Sequence, residues 1–575
     1  MKRAVVLVFV VVLVGAGSVY AGFSVTSDGD EPPASSNERL EEHRGADEQE
    51  FIPRKAYLKA ACELPPHWVK YIRRGWDSNP SRDLDLVLVP YARNYVGSFS
   101  YTPHSGPYGY LQRIPMIWYG PNFIESKGRI DPGREVTIAD IAATQAELLN
   151  FDWPATRSQP PMTEVLKETD ERPRLLVTVS IDGGGINALE EWPHTWPTIN
   201  RLMNEGTSYT NAVVGSSPSI TPAVHTSIST GVFARFHGVT SIAVRQDNGD
   251  IVGGFARNPD ASGAAVADPR VNLDVPTLPD LWDRANGNEP IIAGVLSGNY
   301  AMGMVGFGAA MEGGDKDILA MHGQDDWGTN DKFYKVPDYF NNGELAGPED
   351  LIEAVDRLDG KADDKWRGHD IPIASSPVLA PLQNRVMFET IDREGMGDDD
   401  LTDLLYVQYK SPDAAGHKYN MIAPEQGDVI ESVDTAIDAL ISFLDETVGA
   451  DGYAMVITAD HGQTPLGMGG WPINRNEVVN DIHTRFSKEG VEGRLVQRTS
   501  STSFFMHRAN MKAHGVTPEE ISSFLTRYTI GDNIPDGEPV AEGFEDRLDE
   551  RIFAGVFPGR DLTDVVSCTN AFGDE

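Results

Sequence analysis

The chain has 575 residues, with 86 Asp and Glu against 48 Lys and Arg and a formal net charge of −38. An acidic balance of this size repels phosphate backbones and excludes a broad nucleic-acid-binding face. The 40% hydrophobic content is ample for a large core, and an anionic substrate would need local cations, which bound metal supplies.

The chain opens "MKRAVVLVFVVVLVGAGSVYAGFSV". Lys2 and Arg3 precede an uncharged apolar run, and small residues lead up to Ala21, so residues 1–21 are expected as an export signal. The run from Ala4 to Val25 is also long enough to stay as a membrane anchor, the alternative. Either way the expected location is extracytoplasmic. Residues 22–50, rich in acids, Ser and Pro, are expected as a disordered tether. The two cysteines, Cys62 and Cys568, either pair in an oxidising compartment or stay as buried thiols.

One catalytic domain is expected over residues 51–575. "DLDLVLVPYA" and "RIPMIWYGP" read as strands. "VTIADIAATQAELLNF" reads as a helix capped by Thr137, with Ile138, Ile141, Ala142, Leu148 and Leu149 on its apolar face. A polar linker follows over 154–173. Three apolar strands, "LLVTVSIDGGG", "LLYVQY" and "YAMVITAD", then alternate with amphipathic helices such as "WPTINRLMNEG" and "GDVIESVDTAIDALISFLDETV". That alternation predicts an α/β fold with a mainly parallel central sheet and helices on both faces. Functional residues should stand at the carboxyl ends of the strands. Residues 238–400, dense in Gly, Asn and Asp, are expected as an insertion rimming the site.

Four fragments carry chemistry: "SIDGGG", "SITPAVHTSISTG", "SPDAAGH" and "TADHGQ". Asp182 and Asp460 each follow an apolar strand, His461 comes next to Asp460, and Asp413 and His417 are one helical turn apart. Carboxylate oxygens with imidazole nitrogens suit zinc, with manganese as the alternative.

Together these fragments resemble the alkaline phosphatase superfamily, particularly its type I phosphodiesterase/nucleotide pyrophosphatase branch. The resemblance implies two divalent ions, no organic cofactor, a small phosphorylated substrate and a phospho-enzyme formed on Thr or Ser. In "TPAVHTSISTGVFARFHGV" it makes Thr221 the nucleophile, followed by His225, Thr230–Gly231 and His237–Gly238. Asp182, Asp460 and His461 would hold one ion together with Thr221, and Asp413 and His417 the other. The family's third ligand to the second ion is a His downstream of "DHG", and His483, His507 and His514 lack its surroundings. His104 has them, in "TPHSGPYGYLQRIPMIWYGP", ahead of a strand and helix that resemble the family's last ones.

The implied order is therefore a circular permutation. A segment over 51–153 carrying His104 precedes the nucleophile half over 174–237, and the second metal half and C-terminal region follow over 401–575. One departure stands out: where the branch has an Asn that binds a phosphoryl oxygen, this chain has Ile242. Asn211 and Arg245 are the expected substitutes, and preference among diesters, monoesters, phosphonates and sulfate esters stays open. The alternatives are a sulfatase or phosphonate hydrolase on the same scaffold, or a cell-surface binding protein without activity. Thr221 cannot become formylglycine, which weakens the sulfatase.

Overall fold

The computed structural model describes residues 56–76, 84–97, 103–157, 159–246, 248–257, 266–323, 327–340, 342–467, 469–500 and 502–559. The expected signal, anchor and tether, and Cys568, lie outside the described residues. Cys62 stands in the helix Ala56–Glu63 and is not a free thiol.

Ten strands form the central sheet. In chain order they are β1 (Met116–Tyr119), β2 (Gly128–Ile130), β3 (Leu175–Ile181), β4 (Thr207–Tyr209) and β5 (Ile292–Leu296). They continue with β6 (Asp317–His322), β7 (Trp327–Gly328), β8 (Tyr334–Lys335), β9 (Asp403–Tyr409) and β10 (Tyr453–Ala459). Across the sheet they run β7-β6-β5-β9-β3-β10-β1-β4-β2, with β8 also on β6. The pairs among β6, β5, β9, β3 and β10 are all parallel. The early strand β1 enters antiparallel between β10 and β4.

The sequence expectation of a mainly parallel, doubly covered sheet describes this architecture. All seven residues of β3 are buried, as a central parallel strand requires. Alternate side chains feed two cores. Ala454 and Val456 of β10 meet helices α1 (Asp140–Leu148) and α3 (Thr221–Thr230) on one face. Met455 and Ile457 meet α2 (Pro197–Glu205), α4 (Leu379–Glu394) and α6 (Pro424–Leu444) on the other.

Two expectations are corrected. Thr137 does not cap α1; it lies in a two-residue strand paired with Ala212–Val213, and its Oγ1 donates to Asp140 Oδ1 at 2.8 Å. The apolar face named for that helix is nonetheless buried throughout. The stretch 238–400 is not only rim: it supplies β5 to β8. Much of its Gly and Asn lies in the loops around those strands, although Gly294 stands inside β5.

A second, four-stranded sheet joins Val496–Ser500, Ser503–Met506, Leu86–Pro90 and Phe553–Pro558. One of its faces packs on Val478, Ile482 and Ile521, the other on Tyr57, Val69 and Ile72 of the N-terminal helices. None of the described helices is long and apolar enough to cross a membrane.

Candidate metal centre and nucleophile

The site is built where three neighbouring parallel strands end level. Ile181 of β3 is in register with Tyr409 of β9 and with Ala459 of β10. The next residues, Asp182, Lys410 and Asp460, therefore leave the sheet side by side. Gly183 follows with φ +71°, and its N–H donates to Asp460 Oδ1 at 2.9 Å. A Cβ there would lie 2.9 Å from Asp413 Cα, so glycine is required both by the dihedral and by the approach of the neighbouring turn.

Helix α5 (Ser411–Tyr419) starts directly after Lys410. Its spacing places His417 Nε2 3.3 Å from Asp413 Oδ1, one turn away. His104 reaches the same oxygen from the far side, with Nε2 at 3.4 Å. Its Nδ1 is 3.0 Å from the Ser219 carbonyl, and the Ser219 hydroxyl donates to the His104 carbonyl at 2.7 Å. The turn is thus tied from both ends to the segment leading into the nucleophile. A carbonyl only accepts, so Nδ1 carries the proton and the Nε2 lone pair of the neutral ring faces Asp413. The His461 Nδ1 makes the equivalent bond to the Gly462 carbonyl at 3.0 Å, and the two rings stack.

Thr221 is the first residue of α3, with Ile220 extended before it and Pro222 presetting the first turn. All ten residues of this helix are buried. Its N-terminal end carries partial positive charge and favours an oxyanion. His225, one turn on, donates from Nδ1 to the Thr221 carbonyl at 2.8 Å, and its Nε2 accepts from Ser180 Oγ at 3.0 Å. Both ring nitrogens are committed, so His225 orients the nucleophile's turn, although it lies close to Asp182 and Asp460.

At this site metal-ligating atoms converge around Asp413, with His104 and His417, and around Asp182, which groups with Asp460 and His225 and with Asp413 and His461; a separate acidic group, Asp283, Asp315 and Asp317, lies outside the site. The residues fit divalent ions. Asp460 Oδ2 and His461 Nε2 are buried 3.1 Å apart, yet neither has an aligned hydrogen-bond partner. Electrostatics agree. Burial, then the neighbouring Asp460, lifts the Asp182 carboxyl to about 8. Against burial, Asp460, Asp413 and Asp182 raise the His461 ring to about 9, whereas burial and His461 hold His104 down at about 3. So many like charges in one buried pocket favour cations among them.

The sequence reading missed one member of the site. Lys410 Nζ lies 3.0 Å from Asp182 Oδ1, 2.5 Å from Asp413 Oδ2 and 3.4 Å from Thr221 Oγ1. Burial opposes its charge, but Asp182, Asp413 and Asp460 outweigh it and keep the ammonium charged. The available signal was positional: Lys410 follows a buried strand, as Asp182 and Asp460 do.

All seven residues expected around the ions and nucleophile come together here. The two expected substrate contacts do not. Asn211 Nδ2 donates to Asp131 Oδ1 at 3.0 Å and to the Arg134 carbonyl at 2.8 Å. Arg245 is 2.6 Å from Asp85 and donates to the Met506 carbonyl at 3.0 Å, at the second sheet. Nearness in sequence to Thr221 did not carry either side chain to it. Ile242 packs against an apolar cluster of Ile220, Ala223 and Ala234.

A family model described as type I phosphodiesterase / nucleotide pyrophosphatase matches residues 176–528. Among curated proteins the chain is similar to a calcium-transporting ATPase of Myroides odoratus, 22% identical over 336 residues, or 51% of this chain and 60% of that protein. It is also similar to alkaline phosphatase PafA of Elizabethkingia meningoseptica, 32% identical over 90 residues, 16% of each chain. Alkaline phosphatase PhoV of Synechococcus elongatus is 34% identical over 74 residues, 13% of this chain and 14% of that protein. The chain thus spans 60% or less of the length of these curated relatives. The crystal structure of wild type PafA shares the fold, with a TM-score of 0.51 at 18% identity over 68% of this chain and 85% of that one.

Proposed function

Because this chain belongs to the type I phosphodiesterase/nucleotide pyrophosphatase family, we propose that it is an exported, metal-dependent hydrolase of phosphate esters with Thr221 as its nucleophile. One observation carries the reading: a threonine at the start of a buried helix faces two converging sets of carboxylates and imidazoles. His104, Asp413 and His417 would hold one divalent ion; Asp182, Asp460, His461 and the Thr221 oxygen would hold the other. Zinc is the ion these donors suit best. Bound there, such ions lower the pKa of a coordinated hydroxyl and neutralise charge on a departing oxygen.

The chain's own residues supply the rest. The α3 N-terminus and the Lys410 ammonium stabilise the Thr221 alkoxide once its proton has left. The alkoxide forms a bond to phosphorus while the bond to the ester oxygen breaks. The departing oxygen takes up a proton and leaves as the alcohol; water then cleaves the Thr221 phosphoester, restoring the hydroxyl and releasing phosphate from a monoester or a monoester from a diester. His225 keeps the attacking turn in place, and the apolar packing around α3 excludes bulk water from behind it.

We read the chain as circularly permuted within this family. In support, the family match begins at residue 176, whereas the ligand His104 and strand β1 precede it. The proposed division into a permuted segment, linker, nucleophile half and second metal half follows from that reading. Export rests on the first 25 residues of the sequence.

Purified protein is to be assayed on aryl phosphate monoester, phosphate diester and sulfate ester, with and without chelator. Acid quenching during turnover should leave phosphate on the peptide that contains Thr221. Failure to hydrolyse any phosphate ester with zinc or manganese supplied would overturn the reading in favour of a binding protein. Faster turnover of sulfate would overturn it in favour of a sulfatase.

A further inference from the structure

The hydrolase reading leaves one part of the pocket unassigned. A phosphoryl group attacked by Thr221 Oγ1 presents nonbridging oxygens that need a donor, and Ile242 offers none. Asn211 and Arg245 are held by other partners. Among the described side chains of this site, Lys410 is the candidate, because its ammonium already reaches the nucleophile's oxygen.

An ammonium has three N–H donors. Two of those on Lys410 are taken by Asp182 Oδ1 and Asp413 Oδ2, one from each ligand set. The third faces Thr221 Oγ1 at 3.4 Å, too long for a strong bond. It is therefore open to a closer acceptor lying against Oγ1, which is where an oxygen of the attacked group arrives. The two carboxylates and the half-buried stem fix the ammonium before substrate comes, so little reorganisation is needed. Lys410 also enters the charge balance. The three carboxylates and the Thr221 alkoxide would just offset two divalent ions, so the ammonium is the positive charge left over for substrate. A phosphate monoester dianion carries more charge on its nonbridging oxygens than a diester monoanion does, and gains more from that ammonium.

We propose that Lys410 binds a nonbridging oxygen of the transferred group and makes this site selective for phosphate monoester dianions over diesters. The proposal rests on the hydrolase reading above. It goes further by naming the substrate class and the residue that selects it.

The test compares wild type with Lys410→Met and Lys410→Arg in the full-length, metal-loaded protein. Three quantities are measured: kcat/KM for an aryl monoester and a diester, inorganic phosphate affinity by calorimetry, and bound metal by elemental analysis. Loss of the methionine variant's charge should lower monoester kcat/KM by about 10²–10³-fold, the usual effect of removing one oxyanion donor. Diester kcat/KM should fall about tenfold or less, phosphate affinity should drop, and metal content should stay at the wild-type level. Lys410→Arg, which keeps the charge, should retain metal and most of the monoester preference.

Equal losses on both esters, or unchanged phosphate affinity, overturn the proposal. So does loss of metal from both variants, since Lys410 would then serve only to hold the ligand cage. These results leave the hydrolase reading standing wherever wild type turns over a phosphate ester. Conversely, a wild type that turns over no ester but binds phosphate through Lys410 sinks the hydrolase reading alone.

Discussion

His104 and His461 lie face to face, ring centroids 3.5 Å apart and 8° from parallel. One comes from a turn ahead of the first strand of the central sheet, the other from the turn after its last. Both rings direct Nε2 towards Asp413 Oδ1, at 3.4 and 3.9 Å. Two imidazoles in this arrangement, each fixed through Nδ1 by a backbone carbonyl, are preset to offer Nε2 to a cation.

Replacing His104 with alanine should therefore act through metal. Even a partner that merely orients a ligand is worth about 10–100-fold in metal affinity or activity, so removal of the ligand itself should exceed that. Elemental analysis should show that His104→Ala retains less metal than wild type, and added zinc should partly restore its activity. Unchanged metal content would remove His104 from the cage.

Gly183 allows a second test, of geometry alone. Alanine there would need φ +71° and would press its Cβ to 2.9 Å from Asp413 Cα. The Asp413 turn must shift by a few tenths of an ångström or more, and a displacement of about 1 Å at a reacting centre costs on the order of 10²-fold. Gly183→Ala should still fold, with a lowered thermal midpoint, and lose most of its kcat. Full activity in that variant would contradict the tight approach.

Stability should depend on pH through His237. Burial holds this ring at about 3, with Nδ1 accepting from the Val239 N–H at 3.1 Å and Nε2 3.1 Å from Ser227 Oγ. The folded value lies below the unfolded one of about 6.5, so the unfolded chain takes up the proton first as pH falls. The contribution is whole above pH about 6.5 and is lost on acidification towards about 3, at about 1.4 kcal/mol per pH unit. Urea midpoints between pH 4.5 and 7 should fall less steeply for His237→Gln than for wild type. Parallel slopes would show that the ring accepts a proton in the folded state.

Asp434 is a purely structural counterpart. Its carboxylate oxygens accept from the Thr198 and Ile199 N–H groups at 2.9 and 2.8 Å, closing the start of α2. Asp434→Ala leaves both donors buried and unmatched and should cost about 1.5–3 kcal/mol in denaturant unfolding. Activity per folded molecule should not change, because α2 packs on the face of the sheet away from α3.

The site was legible in sequence to the extent that its chemistry is carried by rare residue types beside strand ends. Asp182, Asp460 and His461 follow apolar runs, and the i, i+4 spacing of Asp413 and His417 survives directly in α5. Lys410 was not legible, because a lysine before a helix is ordinarily a solvated residue and only strand register reveals its aim. Asn211 and Arg245 failed for the opposite reason. Their side chains suited the task, but Asp131 and Asp85 hold them elsewhere. In the stretch 238–400 the glycine and asparagine of the loops masked "IIAGVL" and "DILAMH", which are core strands.

The placement of β1 has a bearing on biogenesis. Met116–Tyr119 leaves the ribosome well before its neighbour Tyr453–Ala459 is made. Until then a buried-type strand waits with one edge unpaired, the situation in which nascent chains self-associate. Maturation of this protein should be slow, dominated by contacts between remote parts of the sequence, and dependent on being held apart from its copies until Tyr453–Ala459 has been made.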